Sequence, residues 1–376
     1  MVTVAVDGNG ADLGPDEVAQ GASLAAARGV RVLLFADAAR IPSVAHGVEL
    51  VDAPISIAKA TDPAYAVRST PAASIVQAAR AVAEGRAQAL VSGGSTGSAL
   101  AAGLFNLKRD RGIYRPALAL PLPRPGVGPL LLLDVGANVA CRPEHLVQFA
   151  YMGSAFAQAV LGIDSPRVAL LSNGEEPAKG TADLKEAHER LTGAGGAALN
   201  FVGNVEGTHA LADGIDVVVA DGFTGNIALK LIEGVSSQTL QLLRDAAHRS
   251  LRAKAGGFLL KPSIMGLREE IDPEVTGGAY MLGLRQLGIV CHGRFTRRGF
   301  ARAIEVAAHG VEEDVIRRTR AALEEAGALR KPSAATAAAG EGGTDPAETA
   351  AKPEEAASRP AEVASPSERE ATVGRP

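Results

Sequence analysis

A chain of 376 residues with 47% apolar content carries enough nonpolar side chains for a large core or two lobes, and its formal net charge of −4 argues against a nucleic-acid binder. Its 2 cysteines, Cys141 and Cys291, lie far apart with no CxxC motif or four-ligand Cys/His set, which excludes a disulfide framework and a structural zinc site. No run of about 18 apolar residues occurs, so no membrane-spanning helix is expected.

The first predicted strand, Val2–Val6, lies in an N-terminus, MVTVAVDGNGAD, that has no basic segment or long apolar stretch, and the expected location is therefore the cytoplasm. A helix follows from Pro15, then a strand at Val30–Phe35. Thr70-Pro71 reads as a cap with a proline in the first helical position, so a helix is expected from Pro71. Strand Ala87–Val91, a helix from Ala99, strands Ala117–Leu122 and Leu130–Val135, and a helix from Pro143 come next. Strand Val168–Ser172, a helix from Thr181, and strands Asn200–Val202 and Val217–Ala220 complete the pattern. This βαβ rhythm predicts an α/β fold with a doubly wound, mostly parallel sheet and ligands at the carboxyl ends of its strands. From about Ser333 the composition collapses to mostly Ala, Glu, Pro, Ser, Thr and Gly, so residues 331–376 are expected to be a disordered tail outside a folded unit of residues 1–330.

Two strand-loop-helix segments stand out. Ala87–Val91 leads into Ser92-Gly-Gly-Ser-Thr-Gly-Ser98, and Val217–Ala220 leads into Asp221-Gly-Phe-Thr-Gly-Asn226. Small residues at a helix start let backbone N–H groups approach an anion, so Gly94, Ser95, Thr96 and Gly97 in one loop, and Asp221, Gly222, Thr224 and Gly225 in the other, are candidate phosphate contacts. Neither loop is GxGxxG or GxxxxGK[ST]. Asp7 and Asp134 end two other strands, and Asn138 closes the Asp134-Val-Gly-Ala-Asn138 turn; such carboxylates serve chemistry or satisfy caps and turn amides. Lys179, in the glycine-flanked loop after Val168–Ser172, is either an ordinary exposed lysine or an ammonium aimed at phosphate or a developing oxyanion. Asn226 either caps its helix, donates to an anion, or does both. Asn204 follows a short strand and is placed on the same rim. His292 is a candidate general acid or base. No acidic cluster has metal-ligand spacing, neither cysteine sits in a nucleophile signature, and GxSxG is absent, so metal catalysis and an acyl-enzyme are disfavoured.

Between Thr239 and Leu267, Leu240, Leu243, Ala247 and Leu251 recur at helical spacing, and Phe258, Leu259, Leu260, Ile264 and Met265 follow a Gly256-Gly257 break. Arg244, Arg249, Arg252, Lys254 and Lys261 make the segment basic. A helical pair at about 236–270 suits an anionic membrane surface, an acidic protein partner, or a dimer-forming hairpin.

The chain resembles the PlsX family of bacterial phosphate acyltransferases from Val2 to Leu329. The resemblance rests on DGNGAD at Asp7–Asp12, SGGSTGS at Ser92–Ser98, RPALALPLP at Arg115–Pro123 and LLLDVGANVACRPEHLVQFAYMGS at Leu131–Ser154. It continues in PRVALLSNGEEPAKG at Pro166–Gly180, NFVGNVEG at Asn200–Gly207, DGFTGN at Asp221–Asn226, GGAYMLGL from Gly277 and CHG at Cys291–Gly293. Ser95 stands where that family usually has asparagine, and Arg294-Phe295 where it has two serines.

The resemblance implies a fold similar to the isocitrate and isopropylmalate dehydrogenases. It also implies transfer of a long-chain fatty acyl group from acyl carrier protein to inorganic phosphate without a cofactor. The acyl phosphate would pass to the membrane glycerol-3-phosphate acyltransferase PlsY for phospholipid synthesis, and the enzyme would be a homodimer peripherally attached to the inner face of the cell membrane. On this reading phosphate attacks the thioester directly, both glycine loops hold it, Lys179 and Asn226 stabilise the charge, and His292 assists proton transfer. Alternatives are a phosphotransacetylase-like or NAD-dependent dehydrogenase-like relative, or a non-catalytic carrier-protein or lipid adaptor.

Overall fold

In the computed structural model, residues 1–193 and 199–330 are described, within a unit spanning Met1–Arg330. The expected tail at 331–376 lies outside the described residues.

The strands are β1 (Thr3–Asp7), β2 (Arg31–Ala36), β3 (Val48–Asp52), β4 (Ala89–Ser92), β5 (Ala117–Leu122) and β6 (Leu130–Leu133), followed by β7 (Val168–Ser172), β8 (Phe201–Glu206), β9 (Val217–Val219), β10 (Ala279–Leu282) and β11 (Leu287–Val290). The helices are α1 (Pro15–Ala27), α2 (Pro63–Ser69), α3 (Ser74–Ala83), α4 (Thr96–Ala102), α5 (Pro143–Val160) and α6 (Ala182–Gly193), then α7 (Gly222–His248), α8 (Leu251–Glu270), α9 (Pro273–Thr276), α10 (Arg297–Glu312) and α11 (Val315–Glu325). One sheet runs β3-β2-β1-β4-β11-β10-β5-β6-β9-β7-β8.

Most neighbours in that order are parallel, as the βαβ rhythm predicts. Three pairings, β11–β10, β10–β5 and β5–β6, are antiparallel. An odd number of reversals means that β1 to β4 and β11 point one way while β6 to β9 point the other. The carboxyl ends of the two blocks therefore lie on opposite edges of the sheet, and the expectation of one shared ligand rim gives way to two.

Alternation along the strands divides the core into two layers. Val4 and Val6 belong to the layer formed with α1, α5, α6, α10 and α11, whereas Ala5 belongs to the layer formed with α2, α3, α4 and the first turns of α7. Strands such as β6, Leu130–Leu133, are apolar on both faces because helices cover both sides.

Three strands, β3, β10 and β11, were not expected from the sequence. The helix predicted from Pro71 starts at Ser74, because Ala73 is held extended in a bridge with Ile55. The cap-and-proline signal belongs instead to Asp62-Pro63, where the Asp62 carboxylate accepts the Tyr65 N–H at 2.9 Å. Gly256-Gly257 does not break a helix either. The chain turns at Arg249-Ser250, and the helical pair spans Gly222–Glu270 rather than about 236–270. Gly257 permits a close crossing, since a Cβ there would stand 2.7 Å from the Ala247 Cβ.

Candidate active site

The first rim gathers the carboxyl ends of β1, β4 and β11. Asp7 is buried, and its Oδ1 accepts the Ser74 hydroxyl at 2.6 Å while Oδ2 accepts the Ser92 hydroxyl at 2.8 Å. Burial raises its pKa to about 6 against those hydrogen bonds. Ser92 Oγ accepts the Gly94 N–H at 3.1 Å, so that amide is spoken for inside the loop. Ser95 caps α4 by accepting the Ser98 N–H at 3.2 Å. Thr96 and Gly97 occupy the next positions, where helix geometry supplies no intrahelical acceptor for the N–H.

Glycine is required on this rim by close approach. A Cβ on Gly93 would lie 2.6 Å from the Phe300 ring, and one on Gly10, at φ +104, would lie 3.2 Å from the Gly94 Cα. A polar cavity of about 220 Å³ opens alongside, lined by Asn9 to Pro15, Asp37, Arg40 and Ser56. His292 joins the rim through Gly293, whose carbonyl accepts the Asp12 N–H at 2.8 Å. Burial, then the charges of Arg294 and Lys230, hold the imidazole below its ordinary pKa and so favour the neutral form.

The second rim gathers the carboxyl ends of β6, β7, β8 and β9. Asp134 is fully buried and accepts five N–H groups: from Leu118 at 3.0 Å, Gly136 at 3.2 Å, Ala137 at 2.9 Å, and the Asn138 backbone and side chain at 2.8 Å each. The Asn138 side chain also donates to the Pro116 carbonyl at 2.7 Å, and its backbone carbonyl accepts the Gly222 N–H at 2.7 Å. The start of α7 thus rests on this loop, and a Cβ on Gly225 would fall 2.0 Å from the Asp134 carbonyl oxygen. Asp221 caps the helix, accepting the Thr224 N–H at 2.9 Å and the Thr224 hydroxyl at 2.7 Å. The amides of Gly222, Thr224 and Gly225, expected to face an anion, therefore have partners within the protein.

Asn226 is exposed one position further on, beside Gly136. Lys179 is also exposed, and its stem crosses Gly174, where a Cβ would stand 2.8 Å from the Lys179 Cγ. Asn204, expected as a ligand contact, is buried and fastens the lysine loop. Its amide donates to the Glu176 carbonyl at 3.0 Å, and its oxygen meets His188 Nδ1 at 2.9 Å.

The glycine loops follow β4 and β9, which are five strand spacings apart, roughly 24 Å. The two glycine loops accordingly do not form one cradle around one phosphate. They stand at the two ends of a face shared by α4 and α7, and Lys230, one turn beyond Asn226, carries α7 into electrostatic range of His292.

Neither thiol is placed as a nucleophile. Cys291 is buried against the Ser92 carbonyl at 3.4 Å, with its pKa pushed up by burial. Cys141 is pushed up to about 12 by burial and then by the charges of Asp134 and Asp221. Among the described residues no group of three or more His, Cys, Asp or Glu side chains is arranged to hold a metal ion. Residue-by-residue sequence reasoning missed Ser74, whose only signal is a serine at a helix start, and Arg115, an exposed guanidinium whose charge reaches Cys141 and His145.

Residues 2–318 match the model of a family described as fatty acid synthesis protein. A phosphate acyltransferase of Pelotomaculum thermopropionicum is 41% identical over 328 residues, covering 85% of this chain and 95% of that one. One from Moorella thermoacetica is 42% identical over 320 residues, covering 83% and 93%. Among solved structures, a phosphotransacetylase from Streptococcus pyogenes superposes with a TM-score of 0.54 at 18% identity, covering 83% of this chain and 94% of that one. The EutD phosphotransacetylase from Staphylococcus aureus gives 0.53 at 17%, covering 82% and 94%. At those identities the superpositions establish the fold alone.

Proposed function

This chain belongs to the fatty acid synthesis protein family and is an acyltransferase, and on that premise we propose that it transfers a long-chain fatty acyl group from acyl carrier protein to inorganic phosphate, forming acyl phosphate. The observation that carries this reading is the 41% and 42% identity to phosphate acyltransferases over more than four-fifths of the chain.

The site geometry supports direct attack. A phosphate oxygen bonds to the thioester carbonyl carbon, the C–S bond breaks, and the thiolate leaves on the carrier's pantetheine arm, taking up the proton that phosphate gives up. With both thiols held protonated, neither Cys141 nor Cys291 competes as a nucleophile. The exposed ammonium of Lys179 and the amide of Asn226 hold phosphate and the oxyanion on the second rim. The amides of Thr96 and Gly97 on the first rim hold a second phosphate group, the phosphodiester of the extended arm. His292, expected to assist proton transfer, stands on the first rim, across the sheet from Lys179 and Asn226, and takes no part in this step.

The enzyme works as a homodimer at the inner face of the membrane, delivering acyl phosphate to PlsY. No helix among the described residues is long and apolar enough to cross a bilayer. Attachment is through α8, where Phe258 and Leu259 are 76% and 78% exposed next to Arg249, Arg252, Lys254 and Lys261. Changing Leu259, Leu260 and Ile264 to Asp releases the protein from anionic vesicles on this view and leaves dimerisation intact. Dissociation to monomers would assign the face to the dimer instead.

The deciding assay mixes purified protein, long-chain acyl carrier protein and inorganic phosphate. Release of free carrier thiol with a hydroxylamine-trappable acyl phosphate is expected, and no product above the enzyme-free control would refute the reading.

A further inference from the structure

We propose that Asp7 is a positioning residue for the first glycine loop, acting through the Ser92 hydroxyl to fix the backbone that presents Thr96 and Gly97. The inference rests on the reading above that this loop holds a phosphate group, there the phosphodiester of the carrier arm; inorganic phosphate would offer the loop the same chemistry, and the test separates the two.

Asp7 itself is 4% exposed, which leaves its carboxylate no surface to offer a ligand. What it does offer is a direction. A serine hydroxyl has one proton, and Ser92 gives its proton to Asp7 Oδ2 at 2.8 Å. Its lone pairs are thereby turned toward the loop, where the Gly94 N–H donates at 3.1 Å. The other oxygen, Oδ1, is occupied by the Ser74 hydroxyl at 2.6 Å and the Asn9 N–H at 3.3 Å, both donors. In the isosteric change Asp7→Asn the new amide must place its NH2 somewhere, and the two donors on the Oδ1 side drive it toward Ser92. There it competes with the Gly94 N–H for the same oxygen. The loop is otherwise wedged by contacts that do not titrate or rotate, with Gly93 under Phe300 and Gly94 against Ala58 and Gly10. The Asp7–Ser92–Gly94 chain is thus a directional element of the clamp.

The test uses the full chain with Asp7→Asn, Ser92→Ala and the double variant. Backbone amide exchange across residues 92–97 is measured without substrate, and kcat and both KM values are measured with phosphate and acyl carrier protein. Each single change is expected to accelerate exchange at the loop. Each is also expected to raise about tenfold the KM of whichever substrate places its phosphate there, with kcat nearly kept and the double variant no worse than the worse single. The KM that moves identifies inorganic phosphate or the carrier arm. Additive effects, as direct substrate contact by Asp7 would give, or unchanged exchange, would overturn the proposal. If Asp7→Asn does not fold, Ser92→Ala alone decides by the same exchange and KM criteria. Absence of acyl transfer by the parent protein would defeat the functional reading, while the exchange data would still judge the clamp.

Discussion

Asp7 and Asp134 occupy matching places in the sequence, each ending an apolar strand and opening a glycine-containing loop, yet they are solvated by the protein in different ways. Asp134 is surrounded by four backbone N–H donors that cannot turn round and by the Asn138 side-chain amide, and with them it builds a seat for α7. Asp7 is held largely by two hydroxyls, whose protons rotate. Fixed amides make a permanent joint, whereas hydroxyls make a joint whose polarity depends on the carboxylate's charge. One strand-end aspartate therefore serves architecture, and the other, on our proposal, serves the shape of a binding loop.

The sharpest way to break this contrast is at the glycines. Gly225→Ala drives a methyl into the Asp134 carbonyl, at 2.0 Å, and should cost more than about 3 kcal/mol, read as loss of soluble folded protein. Gly97→Ala meets only the Pro63 ring edge at 3.0 Å and should leave the fold standing. Equal damage at both positions would erase the distinction between seat and binding loop.

Next in size are the exposed groups on the second rim. Lys179→Ala and Asn226→Ala should each lower turnover about a hundredfold or more, roughly 3 kcal/mol in the transition state, with an unchanged melting temperature. Near-normal turnover in either variant would move the chemistry away from that rim.

The pH dependence of stability tests the first rim. The folded pKa of Asp7, about 6, is above its unfolded value of 3.8, so the native state binds more protons between those limits. Wild-type stability should therefore fall relative to Asp7→Asn as pH rises from about 4 to 6, by roughly 3 kcal/mol, and the difference should level off above that window. Calorimetric melting at pH 4 and pH 7 measures it, and a pH-independent difference would contradict a buried, titrating carboxylate. The smallest effect is expected at the thiols. Cys141→Ser and Cys291→Ser should keep most activity, and a trapped acyl-enzyme lost with either would rule out direct attack by phosphate.

Much of the α/β pattern was legible in the sequence because its strands are apolar runs ending in turn residues, as at Val168–Ser172 and Ala117–Leu122. The strands missed near the C-terminus, β10 and β11, are four residues each and wholly buried, with no alternation to mark them. Missing them also hid the reversal of strand direction, and with it the separation of the two glycine loops. Within the site, the loops and the exposed Lys179 and Asn226 could be picked out by residue type. Asn204 could not be judged from sequence, since its binding partners, Glu176 and His188, are brought to it by tertiary contacts.

The seam where β11 and β10 slot between β4 and β5 also governs the order in which the chain can be completed. Nearly two hundred residues must be synthesised after β4 before β10 appears, on the order of 10 s or more at ribosomal speed. Throughout that interval the facing edges of β4 and β5 have no partner, and each half of the sheet is an incomplete, pairing-prone surface. Folding must therefore finish late and as one cooperative event joining distant parts of the chain. A nascent chain stalled before Ala279 should be found with chaperones or in aggregates, however well its N-terminal βαβ units have formed.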